Sequence, residues 1–270
     1  MAHLVALGAD DVCIRTPVYY LPYKPEWHSA LVAALPDDIE VSLWPVVSLY
    51  NPEAQADKIA EEAEKYQPDR IYLDAERHWV LDYIANLPRF LNRLAAHKAS
   101  GRIKCPIGLG SYRRASGWSS MHWQVWWTHK LNGVFTIDFV AMQLYPEGWN
   151  TPTAWRSQMR MDVDSHQLEL NKANRPDLEW LPFMAAYTEH GWTPKADCVE
   201  AGVDELHKIL GNRLLGFNWW SLDQNLVEPQ HAGQYAYIAS LASSPAVPPA
   251  PTIEERLADL ETRVTALEAE

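Results

Sequence analysis

Seven short runs rich in β-branched and aromatic residues recur through the first 222 positions, separated by stretches of helical or loop character. They are DVCIRT (11–16), EVSLWPVV (40–47), RIYLDAE (70–76), CPIGLGSY (105–112), DFVAMQLY (138–145), EWLPFMAAYT (179–188) and LLGFNWWSL (214–222). Strands that alternate with helices form βαβ units, and those build a parallel sheet. The expected class is therefore α/β. Seven strands in this length suit a (β/α)8-type TIM barrel, a fold of roughly 250 residues. An eighth strand is not evident, and residues 1–10 read as a helix, so the expected barrel is irregular or incomplete. A doubly wound open sheet is the competitor, but no Gly-rich phosphate loop follows the first run. Between the runs, PEAQADKIAEEAEKYQ (52–67) lines Ala56, Ile59, Ala60 and Ala63 on one stripe behind a first-turn Pro52. Residues 80–101 also read as helix up to Gly101, with Pro88 expected to kink or split it.

The composition changes once, near residue 242. Ala242 to Thr252 reads ASSPAVPPAPT, whose four prolines favour an extended spacer. The expected division is a barrel domain over 1–241, a Pro-rich linker over 242–252 and a coiled-coil helix over 253–270. With Leu257 and Val264 at heptad position a, Ile253, Leu260 and Leu267 fall at d. Arg256 and Arg263 then fall at g, facing Glu261 and Glu268 at e of a neighbouring helix. RLADLE and RVTALE match a pattern that favours trimers in short coiled coils, so self-association through 253–270 as a homotrimer is expected. The alternative is one amphipathic helix folded back on the barrel. A coil this short is marginal alone. Tails of this kind resemble those of phage-like and other multivalent surface-binding proteins, in which multivalency raises avidity.

Charge narrows the partners. Lys plus Arg number 23 against 35 Asp plus Glu, a net charge of −12. Phosphate contacts and anionic lipid both require clustered cations, so neither a nucleic acid nor a membrane surface is an expected partner. No apolar run approaches the roughly 18 residues of a membrane span. MAHLVALGADD lacks the basic and apolar regions of a signal peptide, so a cytoplasmic, virion-associated or non-classically exported protein is expected. Cys13, Cys105 and Cys198 are isolated and read as free thiols. The ten histidines show no metal-ligand spacing, and no GxSxG nucleophile elbow occurs. No metal and no cofactor is expected.

In a barrel, strand C-termini face the site. Those ends carry Arg15, Trp44, Asp74 with Glu76, Tyr112, Gln143 with Tyr145, Glu189, and Asn218 with Trp220. The sharpest element is RIYLDAE. Side chains repeat every two residues in a strand, so Tyr72, Asp74 and Glu76 share a face. Neighbouring carboxylates raise each other's pKa, and one can stay protonated as a general acid while the other stays ionised. A solvated pair capping the next helix, or pairing with Arg77, fits the same residues. Glu189 offers another partner for Glu76: carboxylates about 5 Å apart fit a retaining glycosidase, and about 6.5–9.5 Å an inverting one. The 13 tryptophans divide. Trp123, Trp126 and Trp127 sit at helical spacing and read as core. Trp118, Trp149 and Trp192 lie in loops, where indole can stack on a sugar ring. Trp219 and Trp220 point to opposite faces of their strand, so only one can line a site.

PDRIYLDAERHW resembles the fourth-strand motif of family 18 glycoside hydrolases, in which aspartates precede the catalytic glutamate by two, four and seven positions. Glu76, Asp74 and Asp69 match, and Tyr72 departs from the aspartate at minus four. MQLYPEGW (142–149) resembles the family's Met-x-Tyr-Asp strand end with the Tyr one residue late and no Asp after it, and FNWWSLDQN (217–225) resembles the last-strand Trp beneath the scissile sugar. Family 25 lysozymes are a second resemblance, through Asp-x-Glu alone. The resemblance implies a barrel glycosidase cleaving a chitin-like or peptidoglycan glycan. Glu76 would be the general acid, and Asp74 would polarise it or a substrate acetamido group. Tyr145 would contact the reacting sugar, and Trp220 or Trp219 would stack below it. Because of Tyr72, a catalytically silent carbohydrate-binding barrel stands beside it, as does a barrel serving only as an assembly scaffold.

Overall fold

The structure is a computed structural model that describes residues 9–16, 25–36, 38–75, 83–116, 121–145, 149–185, 195–220 and 232–243. The linker expected over 242–252, beyond its first two residues, and the helix expected over 253–270 lie outside the described residues, as does the segment 1–8.

The chain alternates strand and helix as the runs imply. β1 (Asp11–Thr16), α1 (Pro25–Ala34), β2 (Glu40–Val47), α2 (Pro52–Tyr66), β3 (Arg70–Ala75), α3 (Tyr83–Ala99) and β4 (Ile107–Gly110) form the first half. Then come α4 (Trp123–Thr128), a small hairpin of β5 (Lys130–Leu131) and β6 (Val134–Phe135), then β7 (Phe139–Val140) and β8 (Gln143–Leu144). The chain continues through α5 (Pro152–Lys172), β9 (Phe183–Ala185), α6 (Ala196–Leu210), β10 (Asn218–Trp220) and α7 (Ala232–Ser243). β1-β2-β3-β4-β7 pair in that order, all parallel, and β8-β9-β10 pair in parallel. β7 and β8 belong to one stretch of chain that passes from pairing with β4 to pairing with β9, so the described residues hold seven strand positions of an α/β barrel. No described helix is long and apolar enough to cross a membrane.

Local chemistry explains the helix ends. α2 starts on Pro52, whose missing N–H has no partner to lose in a first turn. α5 starts on Pro152 behind Thr151, whose Oγ1 accepts from the Ala154 N–H at 3.2 Å. Pro88 does not split α3, contrary to the sequence expectation. It lies in the second turn on the exposed side, so the helix loses one early hydrogen bond there and continues.

Two apolar layers result. The larger lies between the sheet and the helices and contains Trp123, Trp126, Trp127, Trp155 and Trp180, all buried. The smaller fills the barrel: Trp44, Tyr72, Phe139, Ala141, Leu181 and Phe183, with Cys13 and Tyr145 against them. Trp44 stacks on Phe183 with centroids 4.6 Å apart, and Tyr72 meets Phe139 and Phe183 edge-on. Gly108 is required here, because a Cβ would stand 2.2 Å from the Phe139 ring. Beneath this layer the Tyr72 hydroxyl donates to Asp11 Oδ2 at 3.3 Å, and Ser42 Oγ donates to the same oxygen at 2.7 Å. Burial pushes the Asp11 carboxyl up to about 6 despite those donors. Cys13, Cys105 and Cys198 are free thiols.

Candidate functional site

Parallel strands bring all their C-terminal ends to one mouth, and side chains on the inward register point into it. Asp74 is the last inward position of β3, paired in register with Val46 on one side and Gly110 on the other. It is only 5% exposed. A buried carboxylate needs hydrogen-bond donors. One is supplied by Gln143, two strand positions away, whose Nε2 donates to Asp74 Oδ1 at 3.0 Å. Gly110 lies between them in the sheet and contributes no side chain, and its backbone is closely flanked by the Leu73 and Ala141 carbonyls. Tyr145, two residues beyond Gln143, packs against the barrel interior, and its carbonyl accepts from Arg113 Nη1 at 3.1 Å. Ser111 Oγ donates to the Ala75 carbonyl at 2.5 Å and ties the start of the next loop to the end of β3.

Asp74, Gln143 and Tyr145 are thus gathered at one mouth. Glu76, Glu189, Trp118 and Trp192 lie outside the described residues. Arg15 and Trp220 are described as strand backbone only; Arg15 pairs in register with Trp44, and Trp220 with Ala185. Trp149 is 42% exposed in the loop after β8, with its carbonyl accepting from the Trp155 indole at 2.8 Å.

Three sequence candidates belong elsewhere. Trp44 is a core residue: β2 runs on to Val47, so Trp44 sits inside the barrel on Phe183 rather than at the rim. Tyr112 packs against the layer beneath the helices, with its carbonyl held by His166. Trp219 faces outward, against Phe217 and Ile238, whereas Asn218 is hydrogen-bonded to Tyr72 within the barrel. Asp69 stands at the N-terminal end of β3, where its Oδ2 accepts from the Val41 N–H at 3.0 Å and pins the β2–β3 register. Tyr72, in the place of an aspartate, is committed to the barrel floor through Asp11. Among the described residues no group of three His, Cys, Asp or Glu is placed to hold a metal.

The loop after β4 forms one wall of the mouth and is moored to α5. His166 Nε2 donates to the Tyr112 carbonyl at 2.9 Å, Arg114 Nε donates to Asp162 Oδ1 at 3.0 Å, and the Ser116 N–H donates to Ser165 Oγ at 2.8 Å. A carbonyl only accepts, so Nε2 of His166 carries a proton. Burial drives its pKa down to about 4 from 6.5. The unfolded chain then binds this proton between those two values and the folded chain does not. The stability His166 contributes is therefore present above about pH 6.5 and lost as pH falls toward 4, at about 3 kcal/mol in full. Asp11 and Asp162, pushed up by burial, act in the opposite direction, losing stability as pH rises. The difference between wild type and His166→Gln isolates the histidine. Urea midpoints measured from pH 7 to pH 4 are expected to fall less steeply in the variant, and equal slopes would exclude the assignment.

The sequence matches no protein-family model and no curated protein. In three dimensions the chain is similar to the catalytic domain of a family GH18 chitinase from the fern Peteris ryukyuensis, with a TM-score of 0.51, 15% identity, and 82% of this chain and 79% of that chain covered. It is also similar to the spore cortex-lytic enzyme SleL of Bacillus megaterium QM B1551, with a TM-score of 0.53, 11% identity, and 88% and 68% covered. The fold is a TIM barrel. The Asp74 strand is the third among the described residues rather than the fourth that the motif implies.

Sequence reasoning missed two features of this mouth. One is the Asp74–Gln143 bond, which joins residues 69 positions apart. The other is Tyr50, 60% exposed just past β2, in a stretch of sequence (SLYNP) that reads only as a strand end before a helix.

Proposed function

We propose that this chain is a glycoside hydrolase cleaving a polymer that contains N-acetylhexosamine, by acid/base catalysis at the C-terminal mouth of the barrel. Glu76 is the general acid, and Asp74 is the charged partner that orients it or a substrate acetamido group. Gln143 holds Asp74, Tyr145 contacts the reacting sugar, and Trp220 stacks below it. Arg15, Trp118, Trp149 and Trp192 contribute to binding, and Glu189 is the second carboxylate if the mechanism uses one. The observation that supports this reading is Asp74 itself: a buried carboxylate at the end of a strand, two residues before Glu76 in the sequence, held by a side-chain amide. A carboxylate is costly to bury, and its cost is justified where charge develops in a reaction. The fern chitinase and the spore cortex-lytic enzyme make chitin and cortex peptidoglycan the first polymers to test. The test is the release of reducing ends by the chain and its loss in Glu76→Gln.

One observation favours a second reading, a silent glycan-binding barrel. Tyr72 occupies the place of an aspartate, and its hydroxyl is engaged by Asp11 on the barrel floor. That reading predicts binding to the same polymers with no new reducing ends.

We further propose that residues 253–270 assemble three chains, so that three mouths meet one repeating polymer. Sedimentation equilibrium is expected to give a trimer mass that falls to a monomer when Leu257 and Val264 are both replaced by Asp. A monomer in the unaltered chain would exclude it.

A further inference from the structure

An exposed tyrosine alone needs no explanation, but the turn that carries Tyr50 does. The chain leaves β2 at Val47 and must cross the barrel rim before α2 begins at Pro52. Ser48 and Leu49 are buried, and Leu49 adopts φ +57°, the left-handed region that a branched side chain avoids. Surrounding groups hold it there. Gln55 Oε1 accepts from the Ser48 N–H at 3.2 Å and the Leu49 N–H at 3.1 Å, while its Nε2 donates to the Val46 carbonyl at 2.8 Å. Asn86 of α3 donates to the Leu49 carbonyl at 3.0 Å. The result is an aromatic ring 60% exposed to solvent on an over-determined backbone.

Trp149 is built in the same way. It is 42% exposed, and its carbonyl is anchored by the buried Trp155 indole. Tyr50 follows β2 and Trp149 follows β8, which continues the stretch begun by β7. In the order β1-β2-β3-β4-β7 the strand carrying Asp74 lies between their two loops. We propose that Tyr50 is a sugar-stacking residue, paired with Trp149 on the other side of Asp74, and that the mouth takes an internal stretch of several sugar units rather than one terminal residue. The inference rests on the glycan reading above. Pyranose rings have apolar faces that cover an aromatic ring, and a ring fixed in advance loses little conformational entropy on binding.

The experiment is calorimetric titration of the full chain carrying Glu76→Gln, so that bound sugar is not consumed, with β-1,4-linked N-acetylglucosamine hexamer and dimer. The hexamer is expected to bind more tightly than the dimer. Adding Tyr50→Ala is expected to weaken the hexamer about tenfold, the scale of one aromatic stacking contact, and leave the dimer within about twofold. Tyr50→Phe is expected to bind as the parent does. Hexamer affinity unchanged by Tyr50→Ala overturns the inference and leaves the glycan reading standing. An equal loss for both sugars overturns the length claim. If the parent binds neither sugar, the glycan reading fails and this inference with it. Thermal melting of Tyr50→Ala is expected to match the parent, since the side chain is largely in solvent.

Discussion

Asp74→Asn is expected to lower kcat/KM on N-acetylated chitin oligomers by about 10²- to 10³-fold, with the fold retained, because the change removes one fixed charge from the reacting centre. The amide keeps the shape of the carboxylate and can still accept from Gln143, which donates to Asp74 at 3.0 Å. Stability is therefore expected to change little while turnover collapses. Asp74→Ala is different: it leaves the Gln143 amide without that acceptor in a half-buried site, so a loss of melting temperature is expected along with the loss of activity. Gln143→Ala is expected to cost less, about tenfold, because it removes the donor and spares the charge. Steady-state kinetics and melting curves on the three variants separate these outcomes. Turnover of Asp74→Asn within threefold of wild type would remove Asp74 from the mechanism.

The parts of this fold that were legible in the sequence are those that depend on local periodicity. β1 and β2 fall where the apolar runs fall, and α2 ends one residue before the helical pattern does. The tryptophans at helical spacing, Trp123, Trp126 and Trp127, are buried as a core face should be. Misreadings arose where tertiary pairing decides. Residues 138–145 read as one strand, yet they divide into β7 and β8 because the segment exchanges one neighbour for another. Trp44 reads as a strand-end residue of the run 40–47, while the barrel places it in the interior. Pro88 looked like a break because its position relative to the helix start was not known.

The site was legible in part. Asp74, Gln143 and Tyr145 were each visible as strand-end residues, but their meeting depends on the parallel register of the strands that carry them. That Tyr72 turns to the floor follows from Asp11, 61 residues earlier, and no local pattern connects them. Tyr50 was hidden for a different reason. Its exposure comes from the left-handed turn at Leu49, and a Leu there carries no sequence signal of positive φ.

Glu76 carries the central claim. A general acid within hydrogen-bond reach of the leaving oxygen contributes about 10²- to 10⁴-fold, and a glutamine cannot supply the proton. The replacement is nearly isosteric, so binding and folding are expected to survive it. The deciding measurement is reducing-end release from N-acetylglucosamine hexamer and from spore-cortex peptidoglycan, by wild type and Glu76→Gln side by side, with melting temperature taken on both and hexamer affinity on Glu76→Gln. A glycosidase of the proposed kind releases reducing ends as wild type, falls by at least about 10²-fold as Glu76→Gln, and still binds the hexamer as Glu76→Gln. Equal turnover in the two forms, or binding with no release by wild type, would contradict it.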